Sequence, residues 1–131
     1  MSFIVDISNF VEKAKKNPET VVRQVSFKLF SAIIKASPVD TGRFRMNWQA
    51  AGASPPNGLV PGFDKSGSSA ASRAASYVLL ATEWRELTMT NNLPYARRLE
   101  YGWSKQAPHG MVRVGVARFG KLLAEEAAKV R

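Results

Sequence analysis

The clearest pattern in the chain is a wide apolar stripe between residues 19 and 36. Val22, Val25, Leu29, Ile33 and Ala36 recur at three- and four-residue steps, and Val21, Phe30 and Ile34 widen the stripe. That spacing predicts a helix from Glu19 to Ala36 with one buried face. Arg23, Gln24, Lys28 and Lys35 are left for water. Pro18 suits its start, and Glu19 lies against the positive end of the helix dipole. At about 1.5–3 kcal/mol per fully buried large apolar side chain, this helix is the expected main core donor. Upstream, Ile4, Ile7, Phe10, Val11 and Ala14 also step by three and four. They predict a first helix over 3–16, capped by Asp6 or Ser8 and ended by Asn17-Pro18.

Beyond residue 36 the period changes. Ser37-Pro38-Val39-Asp40-Thr41-Gly42 is turn chemistry. From Arg43 to Ala50, Phe44, Met46 and Trp48 alternate with Arg43, Arg45, Asn47 and Gln49, which predicts a half-buried strand. Its polar face offers Arg43 and Arg45 either to a partner or simply to water. Residues 52–72 mix glycine, proline and serine and hold few large apolar groups. They predict a long flexible loop, able to order against a partner. Ala74, Tyr77, Val78 and Ala81 predict a helix over Ala70–Trp84, and Glu86–Asn91 alternates again as a second strand with Leu87 and Met89 inward.

The stretch Thr90 to Trp103 follows. Asn91 or Asn92 can cap a short helix, Pro94 suits its first turn, and Gly102 can end it. Arg97 and Glu100 are three residues apart and can pair on its surface; Arg45 is an alternative, tertiary partner for Glu100. Residues 104–110 form a polar connector. Val112, Val116, Phe119, Leu123 and Ala127 predict a last helix over Met111–Arg131. Val112, Val114 and Val116 also alternate, however, and Gly115 weakens a helix by roughly 1 kcal/mol. The whole reads as an α+β domain spanning 1–131. N-terminal helices and a C-terminal helix pack on a small antiparallel sheet, with the central loop between.

Length and composition narrow the functional classes. The chain has 131 residues, enough for one core and too few for two. With no cysteine, disulfides, thiolate metal sites and cysteine nucleophiles are excluded. The first residues lack a signal-peptide pattern and no apolar run approaches the roughly 20 residues of a membrane span, so the expected location is a cytoplasm. The one histidine, His109, stands between Pro108 and Gly110. Alone, it offers neither a zinc site nor a catalytic constellation. Asp40-Thr41-Gly42 matches the aspartic-protease tripeptide but reads as a turn. Glu125-Glu126 are adjacent and do not share a helix face. There is no glycine-rich phosphate loop. These observations point away from an enzyme and from any cofactor. The net charge of +9 favours acidic partners or polyanions. Its scattered basic residues keep a basic nucleic-acid-binding module open as the alternative.

Two segments carry a resemblance. The first is Ser37-Pro38-Val39-Asp40-Thr41-Gly42 with Arg45 and Trp48. The second is Asn91-Asn92, Pro94-Tyr95-Ala96 and Leu99-Glu100-Tyr101-Gly102. In this order and spacing they resemble the tail-completion, or head–tail joining (neck), family of long-tailed bacteriophages and prophages. That resemblance implies a structural virion protein without catalytic residues. It would complete the tail-tube end and join it to the head connector as a homo-oligomeric ring, a hexamer among the sizes it allows. Partners would be other copies, tail-tube or terminator proteins and connector proteins, with packaged DNA nearby. The location would be the virion neck or tail, and the host cytoplasm before assembly. On this reading Arg43, Arg45, Arg97, Arg98, Tyr101, Trp103 and Lys105 are candidate interface residues. Asp40, Thr41, Gly42, Trp48, Asn91, Pro94, Tyr95, Glu100 and Gly102 are candidates for shaping the motif.

Overall fold

The apolar stripe of residues 21–34 is buried along its length, and three later helices pack against the helix that carries it. The computed structural model describes residues 2–6, 18–82, 84 and 86–129. In chain order the elements are β1 (Ser2–Asp6), α1 (Pro18–Ala36), α2 (Arg43–Met46), β2 (Trp48–Ala51) and α3 (Ser68–Leu80). Then come β3 (Glu86–Asn91), α4 (Ala96–Glu100), α5 (Val112–Ala117) and α6 (Phe119–Lys129). The architecture is α+β: helices pack on a small antiparallel sheet of order β1-β3-β2. Ser2 pairs with Thr90 and Asp6 with Glu86 across one side of β3, while Trp48 pairs with Asn91 and Ala51 with Thr88 across the other. Helix α1 packs against α3 on one flank and against α5 and α6 on another.

Gly115 sets the distance between α5 and α1. A Cβ there would lie 2.9 Å from an Ile33 carbon and 3.1 Å from a Leu29 carbon. The glycine that weakens α5 as a helix is therefore what lets it close on the core. The expected single helix over 111–131 is two helices. Arg118 separates them, and its N–H bonds to the Gly115 carbonyl at 3.1 Å in a tightened last turn.

Other segments depart from the expected pattern. Residues 3–6 belong to strand β1, not to a helix; Phe3-Ile4-Val5 is a β-branched and aromatic run that pairs with β3. The rest of that expected helix lies outside the described residues. Residues 43–46 are one helical turn and the strand starts at Trp48. The Met46 N–H bonds back to the Gly42 carbonyl at 3.0 Å, and Gly42 has φ of 94°. Phe44 and Trp48 thus meet at i, i+4 in an edge contact of 5.7 Å. Asn47, expected at the surface, is buried, with its amide bonded to Arg43 and Val60. In β3, Thr88 and Thr90 are buried as well as Leu87 and Met89, because the central strand is covered on both faces.

The expected loop ends earlier, since α3 begins at Ser68, and the helix stops at Leu80 rather than at Trp84. Side chains from both motif segments hold the loop's backbone. Gln49 and Asn92 donate to the Gly58 carbonyl at 3.0 and 2.9 Å, and Arg45 donates to that of Lys65 at 2.7 Å.

Candidate functional site: an aromatic and arginine-lined face

The two motif segments lie side by side. Asn91 joins them. Its amide nitrogen donates to the Phe44 carbonyl at 2.9 Å, and its oxygen accepts the Leu93 N–H at 3.3 Å. It therefore braces the turn ahead of α4 rather than capping the helix, whose first residue is preceded by Tyr95 without a side-chain cap. The exposed Pro94 lies in that turn. The Tyr95 ring stands 6.1 Å from that of Phe44. Across the gap, the Gln106 amide accepts from the Val39 N–H at 2.9 Å and donates to its carbonyl at 3.0 Å.

Several motif residues turn inward. Trp48 is 1% exposed, and its indole N–H donates to the Ser37 hydroxyl at 2.8 Å, which in turn donates to the Ile33 carbonyl. Arg45, expected at the interface, is committed to the fold. Its guanidinium donates to the carbonyls of Ser37 at 3.0 Å, Lys35 at 2.8 Å and Lys65 at 2.7 Å. That puts a cation on the carbonyl end of α1, where the helix dipole favours it. Thr41 accepts the Arg43 N–H at 3.2 Å through its hydroxyl, closing the turn. A side chain on Gly42 would strike the backbone of Asp64 and Lys65.

Glu100 is not a surface residue. It is 4% exposed and pairs with neither Arg97 nor Arg45. Its carboxylate accepts the N–H groups of Met111 and Val112, both at 2.8 Å, and that of Arg113 at 2.9 Å. The Arg113 side chain adds a bond at 3.2 Å. One buried charge thereby satisfies the first amides of α5, which have no partner within the helix. Gly110 is required beside it, since a Cβ there would lie 2.4 Å from the Glu100 carbonyl oxygen.

Asp64, which the expectations above do not single out, plays the same part for α3. It accepts the N–H groups of Gly67 and Ala70, both at 3.1 Å. Burial pushes its pKa up, but the hydrogen bonds from Ala70, Ser66, Ser69 and Gly67 together outweigh this and hold it below the ordinary aspartate value.

With those groups spent inward, a distinct set faces out. Gly102, at φ 89°, ends α4. The Trp103 N–H bonds to the Arg98 carbonyl at 3.0 Å and the Gly102 N–H to that of Leu99 at 3.3 Å, a Schellman stop. The stop throws Tyr101 and Trp103 outward, 72% and 74% exposed. The Arg98 guanidinium sits 5.5 Å from the Trp103 ring centre and that of Arg113 sits 4.9 Å from Tyr101. Arg43, Arg97, Arg98 and Lys105 are exposed. A groove of about 700 Å³ runs between residues 38–44 and 95–106. Phe44, Tyr95 and Leu99 line its inner part; Arg43, Arg98, Phe63 and Trp103 are among the exposed residues around it, as are Asp40, Thr41 and Gln106.

Among the described residues no group of three or more His, Cys, Asp or Glu side chains could hold a metal ion. No helix there is long and apolar enough to cross a membrane. Comparison with protein-family models, curated proteins and solved structures finds no match for the chain.

Proposed function

We propose that the chain is a structural subunit of the tail or neck of a long-tailed bacteriophage. It would complete the tail-tube end and join it to the head connector as a homo-oligomeric ring, without catalytic activity. The resemblance of the two motif segments to the tail-completion family motivates this reading. One observation carries it furthest: the Schellman stop after α4 holds two aromatic rings about three-quarters exposed, one of them beside Arg98, which forms no ion pair among the described residues. Tyr, Trp and Arg are the residue types that anchor protein interfaces. A ring subunit needs such a face toward a neighbour, and a catalyst would need convergent reactive groups instead.

Mass measurement in solution and electron microscopy of the purified protein, alone and with tail tubes, test the proposal. Rings or particles seated on tube ends are expected. Monomers that never bind tube ends, yet bind duplex DNA tightly at physiological salt with affinity falling steeply as salt rises, would overturn it in favour of a nucleic-acid-binding module.

A further inference from the structure

We infer that the groove between residues 38–44 and 95–106 takes an extended acidic segment of a neighbouring protein, seated by an apolar side chain and held by Arg43 and Arg98. This deepens the assembly proposal and rests on it for the identity of the neighbour. Volume, lining and charge each contribute. About 700 Å³ is room for a few side chains, within the range of sites that enclose small ligands. Phe44, Tyr95 and Leu99 provide an apolar inner surface, so the occupant must bring an apolar group to displace water there.

The charge of the face selects an acidic occupant. Arg43 and Arg98 line the groove, Arg97 lines a shallow hollow beside it at residues 97–103, and Asp40 is the one carboxylate among these lining residues. Guanidinium groups bind carboxylates through two parallel N–H donors. Arg98 is already placed for this by its stacking over Trp103, so less side-chain freedom is lost on binding. The same charge distribution disfavours nucleic acid. Three cations beside an apolar lining and a rim carboxylate do not form the continuous row of phosphate contacts that such binding requires.

Recognition runs through side chains rather than strand addition. Both backbone groups of Val39, on the groove wall, are engaged by Gln106. An incoming segment finds no open ladder at that position.

A displayed library of random peptides about 12 residues long, enough to cross the groove when extended, provides the probe. It is selected on the immobilised full chain and counter-selected on the Arg43→Glu/Arg98→Glu variant. Both arginines are exposed, so the variant should melt within roughly 3 °C of the parent. Enriched peptides are expected to carry Asp or Glu around one Leu, Phe or Trp. A synthetic representative should bind the variant at least roughly tenfold more weakly, as expected when charge-assisted bonds are lost and repulsion replaces them. Trp103→Ala should weaken it as well, which covers the case of a double variant that does not fold. The inference is overturned if enriched peptides lack acidic residues, if binding is unchanged in both variants, or if a short DNA duplex competes for the groove. Tube-end binding by the parent chain without any peptide capture would overturn the groove and leave the assembly proposal standing. Peptide capture without rings or tube-end binding would do the reverse.

Discussion

Two tryptophans mark the two fates of residues in this motif pair. Trp48 closes the first segment and Trp103 follows the second, each a few residues beyond an arginine. Trp48 is 1% exposed, packs edge-on against Phe44 and hands its N–H to Ser37. Trp103 is thrown out by the Gly102 stop and touches the guanidinium of Arg98. The arginines divide in the same way, with Arg45 bonded to three backbone carbonyls and Arg98 left to a ring face. Residue type alone therefore does not separate frame from face. The separation comes from where the backbone stops. A helical turn at 43–46 carries Trp48 into the core, and a left-handed glycine at 102 carries Trp103 away from it.

Substitutions should reproduce this division as a gradient of stability. Trp48→Ala is expected to cost most, about 3–5 kcal/mol, because a large buried ring leaves a cavity and Ser37 loses a partner. Chemical denaturation measures it; a cost below about 1 kcal/mol would move Trp48 to the face. Glu100→Ala should follow at about 2–3 kcal/mol, since three amide groups at the start of α5 lose their acceptor together. Hydrogen exchange should then quicken at Met111, Val112 and Arg113 ahead of α1. Unchanged exchange there would mean that the carboxylate does not hold α5.

Asp64→Ala should cost about 1–2 kcal/mol near neutral pH, the usual scale for losing a helix cap. Its dependence on pH has a definite sign. The carboxyl is held below its ordinary value in the fold, so its contribution is present above the ordinary aspartate pKa. It is lost as pH falls through the folded-state value. The stability gap between parent and variant should therefore narrow in acid. A gap that stays constant down to strongly acid pH would show that the charge of Asp64 contributes nothing to capping α3.

The same contrast explains what the sequence made legible. The α1 stripe repeats over many turns, so periodicity alone identified it, and Gly102 announced its own stop. The span 43–50 reads as a strand, and its first half is a helical turn, for a physical reason. Phe44 and Trp48 satisfy both a two-residue and a four-residue spacing, and the backbone bonds of Met46 to Gly42 and of Asn47 to Arg43 settle the turn. Ile4 fits a helical spacing with Ile7, Phe10 and Val11, while the strand that pairs with residues 2–6, β3, lies about 80 residues away and leaves no local trace. The burial of Glu100 escapes the sequence for a related reason. Its partners at 111–113 lie beyond any local spacing rule, while Arg97 stood at a familiar one. Asp64 could have been found, since an acidic residue shortly before Ser-Gly-Ser and an alanine-rich run is a helix-start signature. The exposed half of the face was visible as composition. The groove that it borders was not, because Gln106 and Val39 meet only in three dimensions.

The smallest effect on stability should come from Trp103→Ala, and there the contrast is sharpest. A ring 74% exposed contributes little to the core, so the change should stay within about 0.5 kcal/mol. Its contact with Arg98 is a solvent-exposed cation–π pair, worth about 0.5–1 kcal/mol at most and partly replaced by water. If the face serves association, however, a central aromatic is where binding energy concentrates, and its truncation costs on the order of 2 kcal/mol or more. Trp103→Ala should therefore fold as the parent does, yet lose most ring formation or tube-end attachment by electron microscopy. Trp48→Ala, refolded under stabilising conditions, should lose assembly only in step with the fraction unfolded. A Trp103→Ala protein that assembles normally would remove the exposed ring from the interface and leave the groove's arginines to carry it.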